Sequence, residues 1–402
     1  MIYTSVDIGS HSIKIVVSEK INDKFYVLAS TSVRSSGIKK GIIKDKELAL
    51  NSLKEAITNI NNDLGVSINK VFLSFPLFLV NTSIETADVS VSGIVSFDDI
   101  KNVINKTVSK EEVLYLEPIV FEIDSDLQVI DPKGLTAEKL KVRCAVSTIE
   151  KKYLYDYFTL FQELNVEVVD LTYGVIGDYF ENANMEMNRK LGVLVNLGYS
   201  KAEIAIFNKG IMLKGEVLPI GTKKIDKDIS YIYKIDKKEA IQLKENFAVS
   251  SSKYADMNNY VELDNLNGER IKINQVEISQ IIEARLKEIL KSVKNEINNL
   301  TNRTISYIII TGGITNLVGF PYLVDEEFKI DKIVSNITSI GVRNNIYSTS
   351  LGLNKYFAYK AKSRNIDYLL FDLENKEKLT SKKNKVSTRD NLIEKIEAYL
   401  KG

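Results

Sequence analysis

One strand–turn–strand pattern occurs twice in this chain. Val6-Asp7-Ile8-Gly9-Ser10-His11-Ser12-Ile13-Lys14-Ile15-Val16-Val17 returns as Val195-Asn196-Leu197-Gly198-Tyr199-Ser200-Lys201-Ala202-Glu203-Ile204-Ala205-Ile206. The same step of 189 residues separates Asp7 from Asn196 and Gly9 from Gly198. Each copy is an apolar strand, a polar residue, a glycine turn and a second apolar strand, which predicts a duplicated α/β unit. Glycine there permits a tight bend and lets backbone N–H groups approach a phosphate oxygen. Two such turns, facing each other, can clamp a phosphate chain. A third element, Ile308-Ile309-Ile310-Thr311-Gly312-Gly313, ends a strand on bare backbone against which a flat ring or a ribose can lie. Each element alone is also an ordinary hairpin or strand-to-helix turn; together they predict a nucleotide site. Asp7 is placed to hold Mg2+ through water, and Lys14 to return toward the same turn.

Composition removes several other classes. The 402 residues leave room for two or more domains, and 44% hydrophobic content is ample for their cores. The 54 basic and 53 acidic residues nearly cancel, so nothing in the overall charge calls for nucleic acid. A lone cysteine, Cys144, excludes a disulfide framework, and a lone histidine, His11, argues against a histidine metal site or a Ser-His-Asp triad. Asp124, Asp126 and Asp131 lack the spacing of a full calcium loop. No apolar run approaches the roughly 18 residues needed to span a bilayer. The first residues enter a strand directly, so a signal peptide is not expected and a cytoplasmic location is.

Along the chain, strands are expected at 2–8, 13–18 and 25–29, a helix from Asp45, and a short strand at 71–75 closed by Pro76. Residues 79–165 read as an inserted module, with strands at 89–95, 119–123 and 141–147 and helices at 97–108 and 151–164. Segment 166–190 returns to the first half. The second half opens at Leu191 with three strands and continues through 191–225 and 301–345, around a smaller subdomain at 226–300. A helix near Lys237 carries capping-box spacing at Asp236 and Glu239. Ile278, Ile282, Leu286, Ile289, Val293, Ile297 and Leu300 fit a core helix or a coiled-coil seam; the buried strand that follows favours the core helix. Residues 346–373 form a closing segment, and 374–388 a basic, flexible linker.

The last residues, 389–402, place Leu392, Ile393, Ile396, Tyr399 and Leu400 on one stripe of a short helix behind a lysine-rich stretch. That stripe suits either docking on the chain's own domain or lying in a membrane interface, with the basic stretch drawn to anionic lipid. Five apolar residues give marginal affinity, so membrane binding would rely on avidity.

In their order, the three glycine motifs resemble those of the actin/Hsp70/sugar-kinase ATPase superfamily, and within it the chain is similar to the FtsA family. Ser35-Ser36-Gly37-Ile38-Lys39-Lys40-Gly41, Val217-Leu218-Pro219-Ile220-Gly221, Glu239-Ala240-Ile241 and Tyr347-Ser348-Thr349-Ser350-Leu351-Gly352-Leu353 resemble further segments of that family, and the module lies where the family carries its own subdomain. The resemblance implies an α/β, actin-like (ribonuclease H-like) duplicated fold with a cleft and an inserted FtsA-type subdomain. It implies ATP or ADP with Mg2+, held by Asp7, Gly9, Ser10, Lys14, Asn196, Gly198, Ser200, Lys201, Gly221, Glu239, Gly312 and Gly313. It also implies actin-like filaments of the chain itself, a C-terminal membrane-targeting helix, and a place on the cytoplasmic face of the cell membrane at the division site. The implied partner is FtsZ, whose C-terminal peptide docks on the smaller subdomain. Lys234, Lys237 and Lys244 are candidates for meeting such an acidic peptide.

The departures concern hydrolysis. The family's second turn reads Asp-x-Gly-Gly-Gly-Thr, followed later by another Asp. Here Asn196 and Tyr199 stand in that turn, with Glu203 at the later position. Tyr199 would crowd a γ-phosphate, and Asn196 cannot serve as a charged base; Lys201 can offset phosphate charge instead. Gln242 and Asn246 replace a lysine and a glycine frequent in the nucleotide helix. ATP binding is therefore expected to be retained or weakened, and turnover very slow or absent. A small-molecule kinase of the superfamily and a PilM-like platform protein remain alternatives. The kinase needs a carboxylate in the cleft, and the platform would lack the detached tail.

Overall fold

The architecture is that of a computed structural model, which describes residues 1–77, 81–108 and 112–364 together with Tyr368, Leu370, Phe371, Asn375 and Leu379. The tail residues Leu392, Ile393, Ile396, Tyr399 and Leu400 lie outside the described residues.

The first half opens with an antiparallel meander of β1 (Ile2–Ile8), β2 (Ser12–Ile21) and β3 (Lys24–Arg34). A small ribbon follows, β4 (Ile38–Lys39) and β5 (Ile42–Ile43). Helix α1 (Lys46–Leu64) starts where the Asp45 side chain accepts from the Leu48 N–H. It stops at Gly65, whose left-handed φ of 70° suits glycine. Its Leu53, Ile57, Ile60 and Leu64 stay on one buried face, as their spacing requires. The chain then returns in β6 (Lys70–Phe75), parallel to β1.

Residues from Asn81 to Ile149 build a separate sheet. Its strands are β7 (Asn81–Ile94), β8 (Glu112–Ile123), β9 (Leu127–Val129) and β10 (Thr136–Ile149), in the order β7-β10-β8-β9 and antiparallel throughout. Helix α2 (Phe97–Asn105) covers one face, entered through a Ser96–Asp99 capping box. Val103, Phe121, Leu140, Val142 and Cys144 form a core of their own, so Cys144 is a core residue, as its alternating strand suggests.

One helix changes sides relative to the sequence expectation. The pattern at 151–164 was assigned to the module, but Leu154, Tyr157, Leu160 and Phe161 of α3 (Lys151–Gln162) bury themselves in the core of the first half. The apolar face is the same; periodicity does not say which sheet it will cover. Strand β11 (Glu167–Tyr173) then pairs in parallel with β6, giving the order β11-β6-β1-β2-β3, and leads into α4 (Gly174–Asn182).

The second half repeats this plan. Strands β12 (Leu191–Leu197), β13 (Ala202–Asn208) and β14 (Ile211–Leu218) form the meander. Helices α5 (Lys223–Tyr233) and α6 (Lys237–Asn246), then the hairpin β15 (Tyr260–Asp264) and β16 (Arg270–Asn274), lead to α7 (Gln275–Leu300). That helix is a core helix, with Ile278, Ile282, Leu286, Ile289, Val293 and Ile297 all buried. Strand β17 (Tyr307–Thr311) runs parallel to β12, and after α8 (Phe320–Glu327) β18 (Asp331–Val334) joins in parallel. The order β14-β13-β12-β17-β18 is that of the first sheet, strand for strand. This is the duplicated actin-like plan.

Helix α9 (Ser348–Arg364) packs back across α4 in the first half. A Cβ on Gly352 would lie 1.7 Å from the carbonyl oxygen of Gly177, and one on Gly177 would lie 2.5 Å from that of Thr349. Only paired glycines let the two helices cross this closely, and the crossing sets Asp178 and Thr349 together. Leu379, in the stretch expected as a flexible linker, is buried and belongs to the large core cluster.

Candidate functional site

The two glycine turns line one cleft of about 540 Å³. In the first, the antiparallel register places Asp7 opposite Lys14 and Ile8 opposite Ile13. In the second, Asn196 stands opposite Glu203 and Leu197 opposite Ala202. Gly9 and Gly198 occupy equivalent corners. A Cβ on Gly9 would sit 3.0 Å from the carbonyl of Ser12, and one on Gly198 would sit 2.9 Å from that of Lys201. Both corners are thus closed to larger residues by the backbone three positions on.

Every acid and amide at these turns is already engaged. Asp7 accepts from Lys14 Nζ at 2.7 Å through Oδ2 and from Ser74 Oγ at 2.8 Å through Oδ1. Ser74 is delivered by the parallel register of β1 and β6, which pairs it with Asp7. Asn196 Nδ2 donates to Asp178 Oδ2 at 2.6 Å. Glu203 Oε1 takes Lys201 Nζ at 2.6 Å and the Leu77 N–H at 3.0 Å. The second turn therefore holds the first half through both Asn196–Asp178 and Glu203–Leu77.

Gly312 closes the third side. Its φ of 105° is a conformation glycine adopts readily, and a Cβ there would lie 2.4 Å from the carbonyl of Leu197. The third motif is thereby seated against the strand end that carries the second turn.

A family model described as "Cell division protein FtsA" matches residues 193–352. Cell division protein FtsA of Staphylococcus epidermidis is 25% identical over 362 residues, which covers 87% of this chain and 77% of that protein. The Bacillus subtilis protein of the same name is 25% identical over 373 residues, 90% of this chain and 84% of that one. The chain is FtsA-like. In structure it resembles the PilM-PilN type IV pilus biogenesis complex, with a TM-score of 0.61 and 12% identity over 91% of this chain and 99% of that one. It also resembles MreB 5 of Spiroplasma citri bound to AMPPNP, with a TM-score of 0.53 and 14% identity over 90% and 98%. Those two likenesses establish the actin-like fold.

In this FtsA-like chain the cleft gathers most of the residues singled out from sequence. Asp7, Gly9, Ser10 and Lys14 line it from the first turn; Asn196, Gly198, Ser200 and Lys201 from the second; Gly312 and Gly313 from the third motif. Gly221 and Glu239 are not among the lining residues. Gly221 instead lies beneath the second turn, where a Cβ would meet the Tyr199 carbonyl at 2.5 Å. Glu239 caps its own helix, closing a capping box with Asp236. The other end of that helix faces the cleft through Lys244, Glu245 and Asn246. Lys244, expected at a peptide surface, is buried and bonded to Asp226 at 2.6 Å, so it is not presented to a peptide. Lys234 and Lys237 are exposed.

Asp178 was not foreseen. It lies fully buried at the cleft floor and accepts from Asn196 and from Thr349 Oγ1 at 3.1 Å. Burial, with some repulsion from Asp7, pushes its pKa up to about 6 against the hydrogen bonds it accepts. A carboxylate in the apolar first turns of Gly174–Asn182 is the one signal the sequence offers for it. His11 moves the other way, to about 4, because it is buried among the charges of Arg34, Lys244, Lys14 and Lys237. It is neutral at pH 7.

The expected Mg2+ finds no carboxylate at the two turns that is not already hydrogen-bonded. Both Asp7 oxygens already accept from Lys14 and Ser74, and the facing position offers an amide, itself bound to Asp178. Among the described residues, no three His, Cys, Asp or Glu side chains cluster as a metal site. Among them, too, no helix is long and apolar enough to cross a membrane.

Proposed function

We propose that this FtsA-like chain is a membrane adaptor of the division ring. It binds an adenine nucleotide in the cleft, assembles into actin-like filaments, and tethers FtsZ to the cytoplasmic face of the cell membrane at the division site. The observation that supports this most is the pair of turns, equivalent in register and facing one cleft, in a chain similar to FtsA along most of its length. Nucleotide serves as an assembly ligand, shifting the chain between conformations. With Asn196 tied to Asp178 and Tyr199 beside it, the second turn offers an amide rather than a carboxylate to activate water. Turnover that Asn196→Ala abolishes would contradict this.

Anchoring is assigned to the amphipathic stripe at 389–402. Flotation with anionic liposomes, comparing the full chain with a truncation ending at Lys385, tests it. The adaptor reading expects only the full chain to float. If neither form floats under conditions that allow assembly, the stripe is docked on its own domain, and a PilM-like platform role replaces the adaptor. The kinase alternative finds a cleft carboxylate in Asp178, but both its oxygens are engaged and it is fully buried, which argues against it as a substrate's base.

A further inference from the structure

The carboxylates of both glycine-turn hairpins, Asp7 and Glu203, are already paired with ammonium groups, as is Asp226 behind the cleft wall. Lys14 answers Asp7 at 2.7 Å, Lys201 answers Glu203 at 2.6 Å, and Lys244 answers Asp226 at 2.6 Å. A magnesium–nucleotide site needs the opposite: carboxylates turned toward the phosphates and short of cations, so that they hold the metal's water shell. Here each oxygen of the first carboxylate already accepts a hydrogen bond, one from lysine and one from serine, and the second position is an amide bonded to Asp178.

We propose that the cleft binds a nucleoside di- or triphosphate without a divalent cation, the lysine ammonium groups of both turns taking the metal's place. The inference rests on the nucleotide reading above and specifies its chemistry. An ammonium donates up to three hydrogen bonds, so Lys14 can hold Asp7 and a phosphate oxygen together. Lys14 is well placed for this: its Nζ would be 3.1 Å from a Cβ on Gly9, at the corner where backbone approaches a phosphate. Lys201 brings a second cation from the opposite turn, 3.4 Å from a Cβ on Gly41 of the first half. Arg34 adds a third at the cleft wall. His11, whose Nδ1 is buried without a hydrogen-bond partner among the described residues, lines the same cleft.

Calorimetric titration of ADP and of ATP into the full chain, once with magnesium and once with EDTA, separates the possibilities. A lysine site keeps its affinity within about twofold on removal of magnesium, a difference of less than 0.5 kcal/mol. Asp7→Asn adds a test of opposite sign. It removes a negative charge and frees Lys14, so affinity rises severalfold; at a metal site it falls by about tenfold or more. Lys14→Gln lowers affinity about tenfold in either buffer, with a melting curve checking that each variant is folded. Binding that needs magnesium, or an Asp7→Asn variant that binds more weakly, overturns the inference and leaves the nucleotide reading standing. Absence of binding in both buffers overturns both.

Discussion

His11 and Tyr199 meet across the cleft, their ring centroids 4.6 Å apart and tilted by 52°. One belongs to the turn of the first half, the other to the turn of the second. Lys237 and Lys244 stand 5.6 and 5.8 Å from the Tyr199 ring, so the contact is flanked by cations. Burial raises the Tyr199 hydroxyl pKa, with the Asp226 carboxylate adding to it, and the phenol stays neutral. Two neutral rings thus occupy the gap between the two glycine turns.

In the nucleotide binding proposed above, that gap would take a third phosphate. Tyr199→Gly, which restores the small residue of the related motif, is expected to improve ATP relative to ADP by about tenfold, close to 1.4 kcal/mol. Calorimetric titration of both nucleotides reads the ratio directly. An unchanged ratio would mean that the ring already lies outside the phosphate path.

Asp178 predicts a pH dependence of known sign. Its folded pKa of about 6 lies above its ordinary 3.8, so the folded state holds an extra proton between those values. Stability contributed by this group is present at pH 4 and is lost as pH rises through 6. Relative to Asp178→Asn, the wild-type chain should lose on the order of 3 kcal/mol between pH 4 and pH 7. His11, with its lowered pKa, runs in the opposite direction between 4 and 6.5, but it is common to both chains and cancels in the difference. Urea unfolding at a series of pH values measures this; parallel profiles would contradict it.

The Lys244–Asp226 pair joins α6 to α5, with side-chain exposures of 5% and 0%. Removing one partner strands the other charge in the core, so Lys244→Met should cost about 3–5 kcal/mol. Adding Asp226→Asn should recover most of that loss. Denaturant midpoints decide it, and a single variant within about 1 kcal/mol of wild type would show the pair to be solvated.

What was legible in the sequence was local. The glycine turns, the Asp236–Glu239 cap and the long stripe from Ile278 to Ile297 each follow from neighbours within a few positions, and the structure has all three. What was hidden depends on partners brought together by the fold. Lys244 looked like a surface lysine until Asp226, eighteen positions earlier, came alongside it. Glu239 and Lys244 share a helix, and its pattern could not say which end would face the cleft. The same limit sent α3 to the wrong core and left Asp178 unnoticed, since its partners Asn196 and Thr349 come from the second half and from the closing helix.

In its proposed role this chain links FtsZ to a lipid surface. Co-flotation of FtsZ with anionic liposomes tests it most directly, with the full chain, with a truncation ending at Lys385, and with no added chain. FtsZ is expected in the lipid fraction only with the full chain. FtsZ left at the bottom of the gradient while the full chain floats would contradict it.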